Sequence, residues 1–426
     1  MTKIAFVRKK EIPPSAPPIT EVGLIGWLRQ NLFSSWLNAI LTVVSVYFIV
    51  IMLWDFIPWA YGGHWNTKSL RECLDLDPDV ACFSVLAARW KQLLFGLYPA
   101  EEYWRPTLTF IFLLLAIVPI LFPKFFRFFW FSIIYPGLAI WLLWGGSIWG
   151  VGIVYIGFFL GVLLFILLLR NITKNMVIAG ISSILFVILF FIFFSNYFVN
   201  ILDIIIPISL PPVESLKMGG FTLSLIVGIT GIVASFPIGI LLALGRQSNL
   251  PIIKMICVGF IEFIRGVPLI TLLFVASVLL NYFLPPGTNF DIVLRVIIMV
   301  TLFSAAYMAE VIRGGLAGLP LGQHEASSSL GLTYWQSQRL VIMPQALKIS
   351  IPGIVNTFIG LFKDTTLVSI ISLRDPVGLA STIRADQTWN GIYWELYVAI
   401  GLMFFVVCFG MSQYSQYLER KLKTDK

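Results

Sequence analysis

The sequence has few charged residues, two histidines and four cysteines. Of its 426 residues, 12% are charged and 58% are hydrophobic. A soluble domain carries about twice that share of charged residues, so this composition excludes an ordinary soluble protein. His64 and His324 are isolated, and the cysteines lack metal-binding spacing. No metal site is therefore expected.

The sequence also lacks the motifs of nucleotide-binding and catalytic sites. No stretch matches a phosphate-binding loop that ends in Gly-Lys-Ser or Gly-Lys-Thr, so we do not expect this chain to hydrolyse nucleotide. No serine, cysteine or carboxylate constellation has enzyme-like spacing, which predicts no catalytic residue. The net charge of +8 does not indicate nucleic acid, since the basic residues lie beside apolar runs.

Long uncharged apolar runs dominate the sequence instead. The runs between Lys217 and Arg246, between Arg265 and Asp291 and between Glu395 and Glu419 each exceed the roughly 20 residues that span a bilayer. The run from Phe128 to Leu169 has about twice that length and must contain two helices. We predict an all-α polytopic membrane protein with about ten transmembrane helices. They are expected at Trp36–Pro58, Thr107–Phe122, Phe128–Trp144, Ser147–Leu169, Met176–Phe198, Phe221–Leu244, Ile253–Leu284, Ile292–Ile312, Ile349–Ser372 and Ile392–Gln416.

The basic residues predict the orientation. They precede the first span and follow the last, which places both termini in the cytoplasm. These residues are Lys3, Arg8, Lys9, Lys10, Arg29, Arg420, Lys421, Lys423 and Lys426.

Composition divides the chain into five parts. These are a cytoplasmic tail at 1–35, an accessory transmembrane region at 36–198 with an external loop at 59–105, an external linker at 199–220, a second transmembrane half at 221–417 and a basic cytoplasmic tail at 418–426. Cys73 and Cys82 lie in the external loop, where disulfides persist. A disulfide and two free thiols both remain open.

Charges inside the apolar segments concentrate in the second half. Glu262 and Arg265 stand three positions apart, as do Glu310 and Arg313, so each pair shares a helix face. Each pair either neutralises itself or lines a pathway. The adjacent Lys363 and Asp364 diverge on a helix and need other partners, an open cavity or a local helix break.

The loop 318–348 is the longest polar interruption in this half. Thr333 and Gln336 have capping-box spacing directly after Gly331, a helix-stop residue. Pro344 is predicted to end the following helix. The pattern therefore predicts two short helices with a glycine corner, on the cytoplasmic side.

The stretch GQHEASSSLGLTYWQSQRLVIMPQAL closely resembles the EAA loop of ABC-importer permeases. Glu325, Ala326, Gly331 and Pro344 occupy the motif positions, and Ser327 replaces the second alanine. With EFIRGVPL, AAYMAEVIRGGL and LFKDTTL, the chain resembles the polar amino acid uptake permeases of the histidine, glutamine and arginine type. The added amino-terminal region makes it most similar to the long general L-amino acid permease subunits.

The resemblance implies that the last five helices form an ABC permease core in a bacterial inner membrane. It implies three partners besides the lipid bilayer: ATPase subunits that hold ATP and Mg, a second permease subunit in a heterodimer, and an external amino acid binding protein. ATPase coupling would use Gly322, Glu325, Ala326, Ser327, Gly331 and Pro344. The amino acid path or its gates would use Glu262, Arg265, Glu310, Arg313, Asn356, Lys363, Asp364 and Thr365.

Two rival functions also fit intramembrane charges. A secondary transporter driven by an ion gradient would not need the EAA loop. A channel or scaffold subunit would not couple to ATP hydrolysis.

Overall fold

The computed structural model describes residues 23–171, 176–279, 282 and 290–422. It contains two compact units, residues 1–84 and residues 85–426. Three of the predicted segments lie partly outside the described residues. These parts are 1–22 of the amino-terminal tail, 423–426 of the basic tail, and 280, 281, 283 and 284 of the seventh predicted span.

The first unit is built around one long apolar helix. Its helices are α1 (Gly23–Asn31), α2 (Trp36–Tyr61) and α3 (Leu70–Leu76). The Ser35 side chain caps α2 by accepting the N–H of Asn38, and none of the α2 side chains is buried. Cys73 and Cys82 are buried and joined in a disulfide, so the loop after α2 is covalently closed.

The first half of the second unit carries six helices. They are α4 (Ser84–Phe95), α5 (Trp104–Leu121), α6 (Phe129–Trp144), α7 (Ile148–Asn171), α8 (Met176–Phe193) and α9 (Ser195–Ile205), with 3₁₀ turns at Ala100–Glu102, Pro123–Phe128 and Ser215–Lys217. Two short strands, β1 (Gly146–Ser147) and β2 (Ser209–Leu210), pair antiparallel. The predicted external linker therefore contains regular structure. It is also bonded to α6, because Trp144 Nε1 donates to Ser215 Oγ over 2.7 Å.

The second half carries nine helices within its described residues. They are α10 (Gly220–Arg246), α11 (Pro251–Gly266), α12 (Leu269–Phe274), α13 (Ile292–Ala317), α14 (Gly322–Ser329), α15 (Tyr334–Ser337), α16 (Met343–Asp364), α17 (Pro376–Arg384) and α18 (Trp394–Leu422). A π turn at Val275–Leu279 follows α12, another at Gln338–Ile342 joins α15 to α16, and a 3₁₀ turn at Thr365–Ile371 follows α16.

The core of this half lies among α10, α13 and α16. One buried cluster includes Leu223, Val300 and Leu361, and another includes Met308 and Ile342. These side chains come from all three helices and from the π turn before α16, and they pack together in one buried core. We call the end of these helices that carries residues 318–348 the loop end, and the opposite end the far end.

The number of spans agrees with the predicted ten only when bent helix pairs are included. Eight helices are long and apolar enough to cross a membrane, and two bent pairs raise the number to ten. Within its described residues the predicted span at Ile253–Leu284 is broken, because α11 and α12 meet at 100°. Val267 has extended backbone dihedrals before Pro268, and a residue before proline disfavours the helical region. The predicted span at Met176–Phe198 is likewise broken, at Phe194, with a bend of 53°.

Candidate functional site

The loop 318–348 folds into α14 and α15 with a left-handed turn between them. Gly331 takes φ +71° directly after α14. Its N–H donates to Ser328 O over 2.9 Å, and the N–H of Leu332 donates to Ser327 O over 3.2 Å. These are the two bonds of a Schellman motif, which favours glycine at this position. The predicted glycine corner is therefore present, and we call α14 with α15 the knob.

The second knob helix starts as its sequence predicts but does not end as predicted. Thr333 and Gln336 form the capping box, in which the Thr333 N–H donates to Gln336 Oε1 over 2.9 Å. Pro344 does not end the helix, since helical structure continues from Tyr334 to Ile371. The π turn before it is closed by the Met343 N–H, which donates to Gln338 O. Pro344 is instead the second residue of α16, in the first turn, where helices tolerate proline.

Ser327, the residue that departs from the EAA pattern, holds the knob together. Its side chain is buried, and its hydroxyl oxygen lies 2.7 Å from Ser337 Oγ at the end of α15. A second bond joins α14 to α16, because Gln345 Nε2 donates to Gln323 Oε1 over 3.0 Å. The two short helices are therefore bonded into one body.

The outer surface of the knob is apolar. Large side chains lie exposed around the turn: Leu321 (79%), Leu330 (77%), Tyr334 (53%) and Trp335 (55%). Gly322, Glu325 and Ala326 are exposed as well. Among the described residues, the Glu325 carboxylate bonds to none, so it does not cap the backbone of the knob. An exposed apolar patch around a carboxylate is typical of a protein interface.

The helices on either side of the knob touch closely. A Cβ atom added to Gly315 on α13 would lie 2.0 Å from Ser350 Oγ and 2.5 Å from Ala346 O, both on α16. Ser350 Oγ also donates to Val311 O over 3.2 Å. The two backbones are therefore in direct contact here, with no gap between α13 and α16.

A cluster of charges lies near the loop end of α10, α11 and α13. Glu310 is its centre: one oxygen lies 2.7 Å from Arg246 Nη1, and the other lies 3.0 Å from Arg313 Nη2 and 3.5 Å from Arg265 Nη1. Glu262 Oε1 lies 2.8 Å from the same Arg246 nitrogen. Five charges thus connect three helices.

Sequence reasoning found four members of this cluster and missed the fifth. Glu310 and Arg313 pair as their spacing allows, but Glu262 pairs with Arg246 on α10 instead of Arg265. Arg265 lies over the ring of Tyr307, 5.5 Å from its centroid, which turns its guanidinium toward α13. In the sequence, Arg246 lies in a short basic connector between two apolar runs. Its contacts with Glu262 and Glu310 join residues far apart in the chain, which local spacing does not reveal.

The remaining candidates divide into two groups. Asn356 and Lys363 are exposed and lie two helical turns apart on one face of α16. The half-buried Asp364 is the last α-helical residue before the 3₁₀ turn, so a local change of helix type does accompany this charge pair. Thr365 is buried, and its hydroxyl donates to Phe362 O over 2.8 Å. In this conformation Thr365 contributes to packing, away from the exposed face.

The described residues offer no group of three or more His, Cys, Asp or Glu side chains placed to hold a metal ion.

Residues 235–424 match a family described as the binding-protein-dependent transport system inner membrane component. The chain is similar over its whole length to two curated relatives. It is 52% identical to the glutamate/glutamine/aspartate/asparagine transport system permease protein BztC of Rhodobacter capsulatus, and the alignment covers 100% of both chains. It is 38% identical to the inner membrane amino-acid ABC transporter permease protein YhdY of Escherichia coli, covering 100% of this chain and 99% of the relative.

Among solved structures, the chain is similar to one described as an amino acid ABC transporter with histidines. The identity is 32% and the TM-score is 0.42, covering 47% of this chain and 90% of the other.

Proposed function

The chain belongs to the amino-acid permeases of ATP-binding-cassette (ABC) importers. From this membership we propose which of its surfaces bind the ATPase, line the amino acid path and contact a second permease subunit. The observation that carries the proposal is the knob, which is internally bonded, apolar outside and fixed to two core helices. As a permease subunit, the chain needs such a part to receive movement from ATP hydrolysis.

The knob is the docking surface for a separate ATPase subunit. Leu330, Tyr334 and Trp335 provide apolar contact area, and the Glu325 carboxylate is free for a donor on the ATPase. Because α13 and α16 touch at Gly315, a pull on the knob reaches both helices together. ATP and Mg would be held by the ATPase, and this chain would bind no cofactor of its own.

The exposed polar face of α16 lies on the amino acid path, against a second permease subunit. A lysine at an exposed position of a membrane-spanning helix is expensive in lipid, so it faces a partner or an aqueous cavity. Asn356, Lys363 and Asp364 are then the groups that meet the substrate, and the Lys363 ammonium suits the carboxylate that every amino acid carries. A heterodimer with a related permease would complete this path.

The charge cluster around Glu310 works as a gate. It joins α10, α11 and α13 near the loop end, close to the knob in the chain. A change in the angle between these helices must break or exchange its ion pairs, which gives the cluster two discrete arrangements.

The substrate is an amino acid, delivered by an external binding protein. The relatives carry this class in their names, and acidic amino acids and their amides are the first candidates because of the name of the 52% identical relative. In this arrangement the knob and both termini face the cytoplasm of a bacterial cell, and the far end faces outward.

The decisive experiment is uptake into vesicles that contain the chain with its partner permease and ATPase. We expect accumulation of labelled glutamate or glutamine only when ATP and the binding protein are both present. Uptake driven by an ion gradient without ATP would identify a secondary transporter, and passive equilibration would identify a channel.

Two variants isolate the knob in the same assay. Glu325→Gln and Gly331→Val are expected to weaken co-purification of the ATPase and to lower ATP-driven uptake. Normal assembly and normal uptake in both variants would remove the knob from the coupling path.

A further inference from the structure

An open groove lies between α4 and the start of α5, in the half of the chain that precedes the permease core. Its volume is about 360 Å³. Four aromatic residues line it: Trp90, Phe95, Tyr103 and Trp104. Leu108 and Ile111 continue it along α5. The groove shares no residue with the knob, the charge cluster or the polar face of α16.

One lysine stands at the rim of this groove. The Lys91 ammonium lies 5.7 Å from the ring centroid of Trp90 and 5.9 Å from that of Tyr103. Lys91 is exposed and forms no ion pair with any residue in the part of the chain that the structure describes. Its charge is therefore held over two aromatic faces without a protein anion to neutralise it.

The nearby carboxylate of Glu102 is already occupied. Its Oε2 lies 2.8 Å from Arg105 Nε and accepts a hydrogen bond from Trp104 Nε1 over 3.0 Å. Arg105 is fully buried and the Glu102 side chain is 22% exposed, so the pair lies at the edge of the protein interior. Glu102 is therefore not available to Lys91, and its charge is balanced.

The order of these groups along the chain matches a membrane interface. The helical run that begins at Ala100 and contains α5 is one of the candidate spans, and the groove covers its first turns. Tryptophan and tyrosine concentrate at the level of lipid headgroups, where lysine also extends its ammonium toward water. Ile111 lies deeper along the same helix and is 47% exposed, as a side chain that faces acyl chains would be.

We propose that this groove binds an acidic phospholipid. The headgroup phosphate contacts the Lys91 ammonium, and one acyl chain runs along Leu108 and Ile111. The charge complementarity selects an anionic lipid over a zwitterionic one, and the apolar lining along α5 selects a lipid over a soluble phosphate. A lipid held here would fill the space between α4 and α5.

The test uses the assembled transporter and native mass spectrometry, with added phosphatidylglycerol or phosphatidylcholine as probes. We expect tighter binding of phosphatidylglycerol. Lys91→Ala should weaken phosphatidylglycerol binding about fivefold, since one lysine contributes about that factor at a membrane surface, and should leave phosphatidylcholine binding unchanged. Lys91→Arg should retain the preference.

Two further variants make the test specific. Lys217→Ala removes an exposed lysine that is not part of the groove, and it should change nothing. Thr107→Trp fills the groove without touching the charge and should weaken the binding of both lipids. Equal binding of the two lipids by the wild type, or equal effects of Lys91→Ala and Lys217→Ala, would overturn the proposal.

A cross-linking arm distinguishes other occupants. A photoreactive amino acid at position 107 should yield a lipid adduct, and adducts with another protein subunit alone would show that the groove is a protein interface. Competition by free glycerol phosphate as strong as that by phosphatidylglycerol would show that a soluble anion, not a lipid, is bound.

Discussion

The guanidinium of Arg89, on α4, contacts the carboxylate of Asp386, in the turn after α17, although 297 positions separate them in the chain. Other contacts accompany it at the far end: the Thr222 hydroxyl donates to Leu94 O over 2.9 Å, and Gly96 pairs with Met218 in an isolated bridge. The amino-terminal half therefore does more than anchor the chain, because α4 helps to hold the start of α10 and the end of α17.

Exchanging the two charges should show this contact directly. Both side chains are one-third exposed, so solvent screens the pair and its contribution to stability is small. Arg89→Asp and Asp386→Arg should each lower the melting temperature of the purified protein, and the double variant should recover most of the loss that Arg89→Asp causes. Asp386→Arg should cost more, since Asp386 also accepts the backbone N–H of Thr388 over 2.9 Å. If the double variant lost as much melting temperature as the two single variants together, the residues would not interact.

Replacing Gly331 should destabilise the knob through the backbone alone. A side chain at this position meets no other atom within 4 Å, but φ is +71°. Gly331→Ala should cost about 1 kcal/mol, and Gly331→Asn should cost less, because asparagine tolerates this region. Gly322→Ala is the matched control, since that position is also open and has a negative φ. Faster hydrogen exchange of α14 and α15 in Gly331→Ala alone would support the assignment, and equal exchange in all variants would contradict it.

Removing the central carboxylate of the charge cluster should cost more than removing its outer one. Glu310 is 15% exposed and contacts three arginines, whereas Glu262 is 55% exposed and contacts one. Glu310→Gln leaves those cations without their shared partner and should destabilise the protein by about 3 kcal/mol. Glu262→Gln should cost less than about 1 kcal/mol. Denaturation measured on both variants under the same conditions tests the order, and equal losses would show that Glu310 is not the centre.

Asp375 should make stability depend on pH. Burial raises the pKa of its carboxyl to about 6, although the N–H groups of Gly378 and Val377 donate to it and oppose that shift. The unfolded chain releases this proton near pH 4. Between about pH 4 and about pH 6 the folded state therefore holds more protons, so the contribution of Asp375 is full below pH 4 and is lost as the pH rises through about 6.

The variant Asp375→Asn keeps one of the two N–H bonds of the cap on α17, because an amide has a single accepting oxygen, and it removes the titration. As the pH rises from about 4 to about 6, the free energy of unfolding of this variant relative to the wild type should increase by up to about 3 kcal/mol, which melting temperatures at each pH would detect. Asp291→Asn makes the same substitution at the exposed cap of α13, and it controls for the effect of replacing any capping aspartate by asparagine. A difference that stays constant with pH would show that Asp375 does not titrate in this range.

Local signals in the sequence predicted local structure well. The stop at Gly331 and the capping box of Thr333 and Gln336 depend on residues within three or four positions, and both are present. Pro344 misled, because a π turn placed it at the start of a helix and no rule based on α-helical spacing anticipates that turn. The 100° bend before Leu269 was missed for the opposite reason, since an apolar run conceals a Val-Pro break.

Contacts between distant residues were not predictable. The cluster around Glu310 needed Arg246, and the far end needed Arg89 with Asp386, yet neither arginine has a sequence neighbour that indicates its partner. Such pairs depend on which helix faces meet, and apolar helices carry little sequence signal about their neighbours.

The continuous helical stretch Tyr334–Ile371 has 38 residues and a length of about 57 Å, well beyond the roughly 30 Å of bilayer hydrocarbon. Each residue in it adds about 1.5 Å of rise and about 100° of rotation, so the number of residues between the knob and Asp364 fixes the direction in which the knob points. The π turn at Gln338–Ile342 holds one residue more than an α-helical turn. Deleting a single residue there would swing the outer surface of the knob by about 100° around the helix axis with every knob residue unchanged. Chain length in this stretch thus determines the orientation of the knob in its own right, separately from the identity of any side chain.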